Sequence, residues 1–136
     1  MWTSNIENPE SISIVYGGDI PKLNNIFFHH LKASSGEDLI CELCFDIKIL
    51  PVPMPAKWKV KSVNTVQLSL QLISCEILSL EMRGGEEIGE LQIESVNDVK
   101  LVSFIANKRK VFSIRSKWIR IESISGYSQD SWQSLS

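Results

Sequence analysis

No stretch of this sequence approaches the ~20 consecutive apolar residues that a membrane-spanning helix requires, and the first ten residues, MWTSNIENPE, carry two acids, no base and no apolar core. A transmembrane span and a secretory signal are therefore not expected, and the chain reads as cytoplasmic. Net charge is also small: 14 Lys and Arg against 16 Asp and Glu leave −2. That balance argues for no nucleic acid, membrane or other charged partner. Three cysteines, Cys41, Cys44 and Cys75, give an odd count without a disulfide framework, as expected in a reducing compartment. A zinc site built on Cys41-Glu-Leu-Cys44 would need further ligands from His29, His30 and Cys75. On a strand the two sulfurs, three residues apart, point to opposite faces. No metal and no cofactor is expected.

Catalytic patterns are equally thin. There is no G-x-S-x-G, and the two histidines, His29 and His30, are adjacent, so on a regular strand they face opposite ways. Carboxylates spaced as Glu86, Glu90 and Glu94 stand ~13 Å apart at each step of a strand, outside the ~5–9.5 Å of a glycosidase pair. Gly84-Gly85-Glu86-Glu87-Ile88-Gly89 has no Lys and places acids where a phosphate would bind. These absences disfavour an enzyme.

What the chain does contain is period-two alternation. With 136 residues, 43% hydrophobic and 22% charged, it suits one packed domain. Asn8-Pro9-Glu10 opens a short helix over Pro9 to Tyr16, with Asn8 as N-cap, Ile12, Val15 and Tyr16 on one side and Gly17-Gly18 closing it. Leu39, Cys41, Leu43, Phe45 and Ile47 form the inner face of a strand from Leu39 to Ile49, paired with Phe27 to Ala33 across Ser34-Ser35-Gly36. PVPMP is an extended loop, and Trp58 to Lys61 begins the next strand. Val66, Leu68, Leu70 and Leu72 alternate, the pattern is interrupted, and it resumes at Leu78, Leu80 and Met82, which is read as a bulge or bend near Ile73-Ser74. Gly84-Gly85 reads as a two-residue hairpin that places Leu78 opposite Leu91 and Glu81 beside Glu90. Val99 to Ala106 and Lys110 to Ile114 form a further hairpin around Asn107-Lys108-Arg109, and Trp118 to Ile124 is the last strand. The expected fold is α+β but mostly β: one short N-terminal helix and seven to eight antiparallel strands in a curved sheet or two-layer sandwich. Residues 1–127 form a single domain, and 128–136 a flexible tail.

Charge is polarised along the chain. From Glu76 to Asp98 there are seven acids and one base, and from Val99 to Ile121 seven bases and no acid. Pairing of opposite charges across a solvent face accounts for this simply. The alternative is a docking surface: Glu86, Glu90 and Glu94 on one strand face with Glu81 beside them, a cluster that a cationic protein partner would relieve. A third reading, a nucleic-acid or small-ligand binding module, needs Lys108, Lys110, Arg115 and Arg120 on one side with an exposed Phe112.

Several strings carry a family resemblance: Trp2 with Asn8-Pro9, Gly18 to Leu23, PVPMPAKW ending in Trp58, Asn64-Thr65-Val66-Gln67-Leu68, the Ile88-Gly89 step, and Trp118, Ile121, Ile124 and Tyr127 at equal intervals. In this order, over roughly residues 2 to 127, they resemble the immunity protein 50 family of bacterial polymorphic toxin systems. The resemblance implies a cytoplasmic α+β protein that binds and neutralises a cognate toxin domain without catalysis. Trp58, Asn64, Trp118 and Tyr127 are then family-motif positions, expected mainly in the core. The resemblance does not indicate which toxin is bound, and oligomeric state does not follow from the sequence.

Overall fold

The structure, a computed structural model, describes residues 1–128. Six antiparallel strands close into a barrel: β1 (Ile26–Ser34), β2 (Ile40–Ile47), β3 (Thr65–Leu80), β4 (Ile88–Val96), β5 (Val99–Ala106) and β6 (Arg109–Tyr127), in the order β1-β2-β3-β6-β5-β4. A 3₁₀ turn (Trp2–Asn5) and helix α1 (Glu10–Tyr16) precede the barrel, and a one-turn helix α2 (Ala56–Val60) lies between β2 and β3.

The strand count is lower than expected because β6 is continuous. The segments read separately as Lys110 to Ile114 and Trp118 to Ile124 are one 19-residue strand. Ser116 and Lys117 look like a polar interruption, but the buried Ser116 hydroxyl donates to the carbonyls of Ile73 and Trp118 at 2.9 and 2.8 Å. A bend near Ile73-Ser74 is present, with Ser74 at φ of 55°, but the inward face after it is not the expected one: Cys75 and Ile77 pack against the core, whereas Leu78 and Leu80 are exposed; the partner strand changes phase at the facing Lys117. Both long strands bend together there, so each serves two regions of the barrel.

The Gly84-Gly85 hairpin does not form. β3 pairs with β6 as far as Leu80↔Phe112, while β4 pairs with β5 (Glu90↔Ile105 through Val96↔Val99) and β1. Leu78 is therefore not opposite Leu91, and residues 81–87 cross from one strand to a non-neighbour. Gly84-Gly85 has the local chemistry of a hairpin, but the long-range pairing of β3 with β6 overrides it. True two-residue turns with positive φ at both central positions occur at Asn97-Asp98 and Asn107-Lys108, the geometry that suits the twist of a hairpin. Trp58 to Lys61 does not begin a strand either; Pro55 leads into α2, and β3 starts at Thr65.

The interior follows the alternation. Cys41, Leu43, Phe45, Val66, Leu68, Leu70, Leu72, Val102, Phe104, Phe112 and Ile114 are buried. The rings of Phe28, Phe104 and Phe112 meet at centroid separations of 5.0, 5.4 and 5.9 Å, within the range of favourable aromatic packing. Ile12 and Tyr16 of α1 are buried against this core, with the Tyr16 hydroxyl donating to the carbonyl of Ile49 at 2.6 Å. The N-cap role expected of Asn8 is not observed. Its side-chain amide bonds both the N–H and C=O of Ile121 at 2.7 and 2.9 Å. It thus pairs with a stretch of β6 that β5 does not reach, which satisfies more backbone than a cap would. β6 runs as far as Tyr127, and residues 129–136 of the expected tail lie outside the described residues. No helix among the described residues is long and apolar enough to cross a membrane.

Candidate functional site

The four carboxylates expected on one face are divided between two places. Glu90 and Glu94 are exposed on the outer face of β4, with Leu91 and Ile93 pointing inward. Glu90 stands opposite Ile105 and Glu94 opposite Leu101, so neither faces a base across its own ladder. Among the described residues neither takes part in an ion pair within 4 Å. Lys100, Lys108 and Lys110 do not neutralise them.

Glu81 and Glu86 lie instead in the crossing 81–87, where Arg109 at the start of β6 holds both. Its guanidinium donates to Glu81 Oε2 at 3.0 Å, to the Glu81 carbonyl at 2.6 Å, and to both oxygens of Glu86 at 2.6 and 3.2 Å. This forked contact holds the Glu86 carboxyl below its ordinary range and fastens the crossing over the β5–β6 turn. Glu81 is not beside Glu90, because the hairpin that would have joined them is absent.

Two shallow hollows flank β4. One, of about 510 Å³, is bordered by Trp2, Ile20, Leu23, Leu91 and Glu90; the other, of about 350 Å³, by Leu78, Val96, Val99, Leu101 and Arg115. Leu78 and Val96 are 42% and 48% exposed. After the bend at Ser74, Leu78 points outward rather than into the core. β4 thus presents unpaired carboxylates between two partly apolar depressions, the arrangement of anchor pockets and polar rim found in protein interfaces.

A second polar cluster lies on the outside of β1 and β2, where regular alternation does not place one. The β1–β2 register slips between Phe28↔Phe45 and His30↔Cys44, so His29 is an extra residue and both histidines are exposed on the outside. His29 Nε2 lies 2.7 Å from the fully buried Asp46 carboxylate, which also accepts from the Tyr127 hydroxyl; Gln67 Nε2 reaches its other oxygen at 3.4 Å. His30 Nε2 is 3.0 Å from Glu42. Glu42 shares a side-chain hydrogen bond with Glu122; the histidine contact lowers the Glu42 pKa, and the shared bond raises that of Glu122. The signal for this bulge is present in the spacing of Phe28 and Leu31, two inward residues an odd number apart. Asp46 ties β1, β2, β3 and β6 together, and its hydrogen-bonding capacity is used in doing so. Buried Cys41 has its thiol pushed up to about 12 by desolvation, and Cys44 is also raised by burial. No group of three or more His, Cys, Asp and Glu that could hold a metal occurs among the described residues.

The motif positions are structural in three cases. Trp58 packs over Gly126, the Asn64 N–H donates to the Tyr127 carbonyl at 3.1 Å, and Tyr127 reaches Asp46. Trp118 departs from the expected core: it is 46% exposed on β6, with Lys117 Nζ 5.9 Å from its ring centroid. For the nucleic-acid reading, Phe112 is fully buried and cannot serve as a stacking platform. Arg120 lies beyond the bend from Arg115 and donates to Gln71 at 3.3 Å.

Fold and surface together define a small, mostly β barrel domain with an exposed acidic pair, Glu90 and Glu94, along β4. More specifically, the chain belongs to the immunity protein 50 family, which it matches over residues 8–127. No curated protein and no solved structure is significantly similar to it.

Proposed function

We propose that this chain is a bacterial immunity protein that binds a cognate polymorphic toxin domain in the cytoplasm and blocks it stoichiometrically, without turnover. Membership of the immunity protein 50 family over most of its length carries this reading. The docking surface centres on Glu90 and Glu94 of β4. Carboxylates left without a counter-ion raise the association rate of a partner carrying basic groups, and the flanking hollows offer seats for apolar anchors. Glu81 and Glu86, already engaged by Arg109, contribute to the negative field rather than to direct contacts.

Co-expression with the toxin domain encoded beside this gene tests the reading. Growth rescue and co-purification are expected, and the absence of both with every adjacent toxin would refute it. In a second measurement, the double substitution Glu90→Lys and Glu94→Lys leaves the fold intact, since exposed changes shift stability by about 0.5 kcal/mol or less, while association slows and loses its salt dependence. Unchanged kinetics in the folded variant would remove β4 from the interface.

A further inference from the structure

The barrel closes over a very short seam. β1 and β4 pair only at Ile26↔Gly89 and Phe27↔Ile88, supplemented by Phe28 N–H donating to the Glu87 carbonyl at 2.7 Å. Beyond the seam, several stretches of strand have a neighbour on one side only, and the fold deals with them differently. The free side of β6 is covered by the N-terminal segment, through Asn8 on Ile121 and the Glu7 N–H on the Ile119 carbonyl at 2.8 Å. The free side of β4 is met by Leu23, whose carbonyl accepts from the Leu91 N–H at 2.8 Å, and by Asn5, which donates to the Ile93 carbonyl at 3.4 Å. The free end of β3 is broken by a register slip between Ile77 and Ser79, an irregularity that blocks strand addition.

β1 from His30 to Ser34 is the exception. It is regular, exposed but for Leu31, and paired only with β2, in the register His30↔Cys44 through Ser34↔Ile40. Cys75 N–H donates to the Leu39 carbonyl, which sets the odd-numbered residues of β2 toward β3 and the even-numbered ones toward β1. His30, Lys32 and Ser34 therefore make the β1–β2 hydrogen bonds, and the backbone N–H and C=O of Leu31 and Ala33 point away from the sheet. Among the described residues these four groups have no partner.

We propose that this edge of β1 receives an extended strand of the toxin domain, adding a seventh strand through hydrogen bonds to Leu31 and Ala33; the inference rests on the immunity reading above. A row of alternating backbone donors and acceptors is complementary only to another extended backbone. A heterologous strand is favoured over a second copy of this chain by charge. The symmetric antiparallel register that engages Leu31 and Ala33 together sets Lys32 directly against its own copy, and like charges so placed repel. Lys32 has no ion pair within 4 Å among the described residues, so the incoming strand carries an acidic or neutral side chain at the facing position. The bulge at His29 ends the regular edge on one side and the hairpin loop ends it on the other, which limits the added strand to a short segment.

Amide hydrogen exchange on the intact complex with the adjacent-gene toxin domain is the direct test. The Leu31 and Ala33 amides exchange rapidly in the free protein and become protected in the complex; amides that stay fast in a formed complex would overturn strand addition while leaving the immunity reading standing. Failure of the unmodified chain to bind or rescue would overturn both. Ala33→Pro removes an outward N–H without touching the β1–β2 ladder, a position where an edge strand tolerates proline. It is expected to weaken toxin binding by about 10- to 100-fold while thermal unfolding stays near that of the unmodified chain. If the chain is instead a dimer that Ala33→Pro dissociates with toxin affinity unaltered, the occupant is a second copy and the proposal fails.

Discussion

Gly89 is the position at which one added methyl group should do the most damage. It pairs with Ile26 in the closing seam of the barrel, and a Cβ built on it would lie 2.2 Å from the Ile105 carbonyl oxygen, 3.0 Å from that carbonyl carbon and 3.0 Å from Cζ of the buried Phe104. Carbon and oxygen do not normally approach closer than about 3.2 Å, so the overlap is roughly 1 Å, and the obstacle is backbone rather than a mobile side chain. Relief requires β4 to move away from β5, and that motion strains the seam of two residue pairs that joins β4 to β1. Overpacking of a well-packed core costs about 1–3 kcal/mol, and a backbone obstacle places Gly89→Ala at or above the upper end, about 3 kcal/mol. For a domain of this size that lowers the unfolding midpoint by about 10 °C. Thermal and urea denaturation followed by circular dichroism measure it, with Gly84→Ala as reference. A Cβ on Gly84 would meet nothing within 4 Å, and its φ is not positive, so alanine there is neutral or stabilising by about 0.4–1 kcal/mol through the unfolded chain. If Gly89→Ala unfolds within about 1 kcal/mol of the unmodified protein, the reasoning about the seam is wrong.

A milder effect is expected at Gly126, where a Cβ would meet the Trp58 ring at 2.8 and 2.9 Å and Val63 Cγ1 at 2.8 Å. Because α2 is a single turn that can shift, Gly126→Ala should cost about 1–2 kcal/mol, and its effect should shrink in a Trp58→Ala background, where the Val63 contact is left; fully additive losses in urea unfolding would refute the Trp58 contact. Tyr16 offers a pH signature. Burial holds its pKa well above the ordinary value near 10, so the folded state retains a proton that the unfolded state releases. The resulting stability is present in full below about pH 10 and is lost as pH rises. Tyr16→Phe should cost about 1 kcal/mol at pH 7, through its bond to the Ile49 carbonyl, and should flatten the decline of stability between about pH 10 and 12. An unchanged alkaline slope would show that Tyr16 is not its source.

The elements most legible in the sequence are those fixed by neighbouring residues. The strand through Leu43 and Phe45, its hairpin with Phe27 to Ala33 and the turn at Asn107-Lys108 follow from alternation and turn chemistry between near neighbours. The failures are of a different kind. Gly84-Gly85 is as good a hairpin turn as any in the chain, yet Leu80 pairs with Phe112, and a local pattern carries no information about which distant strand arrives first. Asn8 is well suited to cap α1, yet it bonds Ile121 because the free side of β6 has greater need of it. Alternation alone puts Glu90 and Glu94 on an outward face, whereas the positions of Glu81 and Glu86 depend on the crossing that Arg109 secures. A regular strand would turn His29 and His30 to opposite faces; the bulge that directs His29 toward Asp46 shows only in the Phe28-to-Leu31 spacing.

The residues by which the chain resembles its family are mostly the ones that close this barrel. Trp2 Nε1 donates to the Pro21 carbonyl at 2.9 Å, Asn8 clamps β6, Gly89 permits the approach of β4 to β5, Trp58 seats on Gly126, and Tyr127 caps the buried Asp46. Each contact joins separate elements of the fold, and of these residues Trp2 also borders a hollow beside β4. Such contacts specify an architecture and leave the outward rows free to vary, because exposed side chains on a strand contribute little to stability. Under the proposed function, recognition of one particular toxin is carried by groups outside this set. Glu90 and Glu94, the hollow bordered by Leu78, Val96 and Leu101, and the backbone of Leu31 and Ala33 meet that condition. Trp118 bridges the two sets, being a motif position that is nonetheless half exposed.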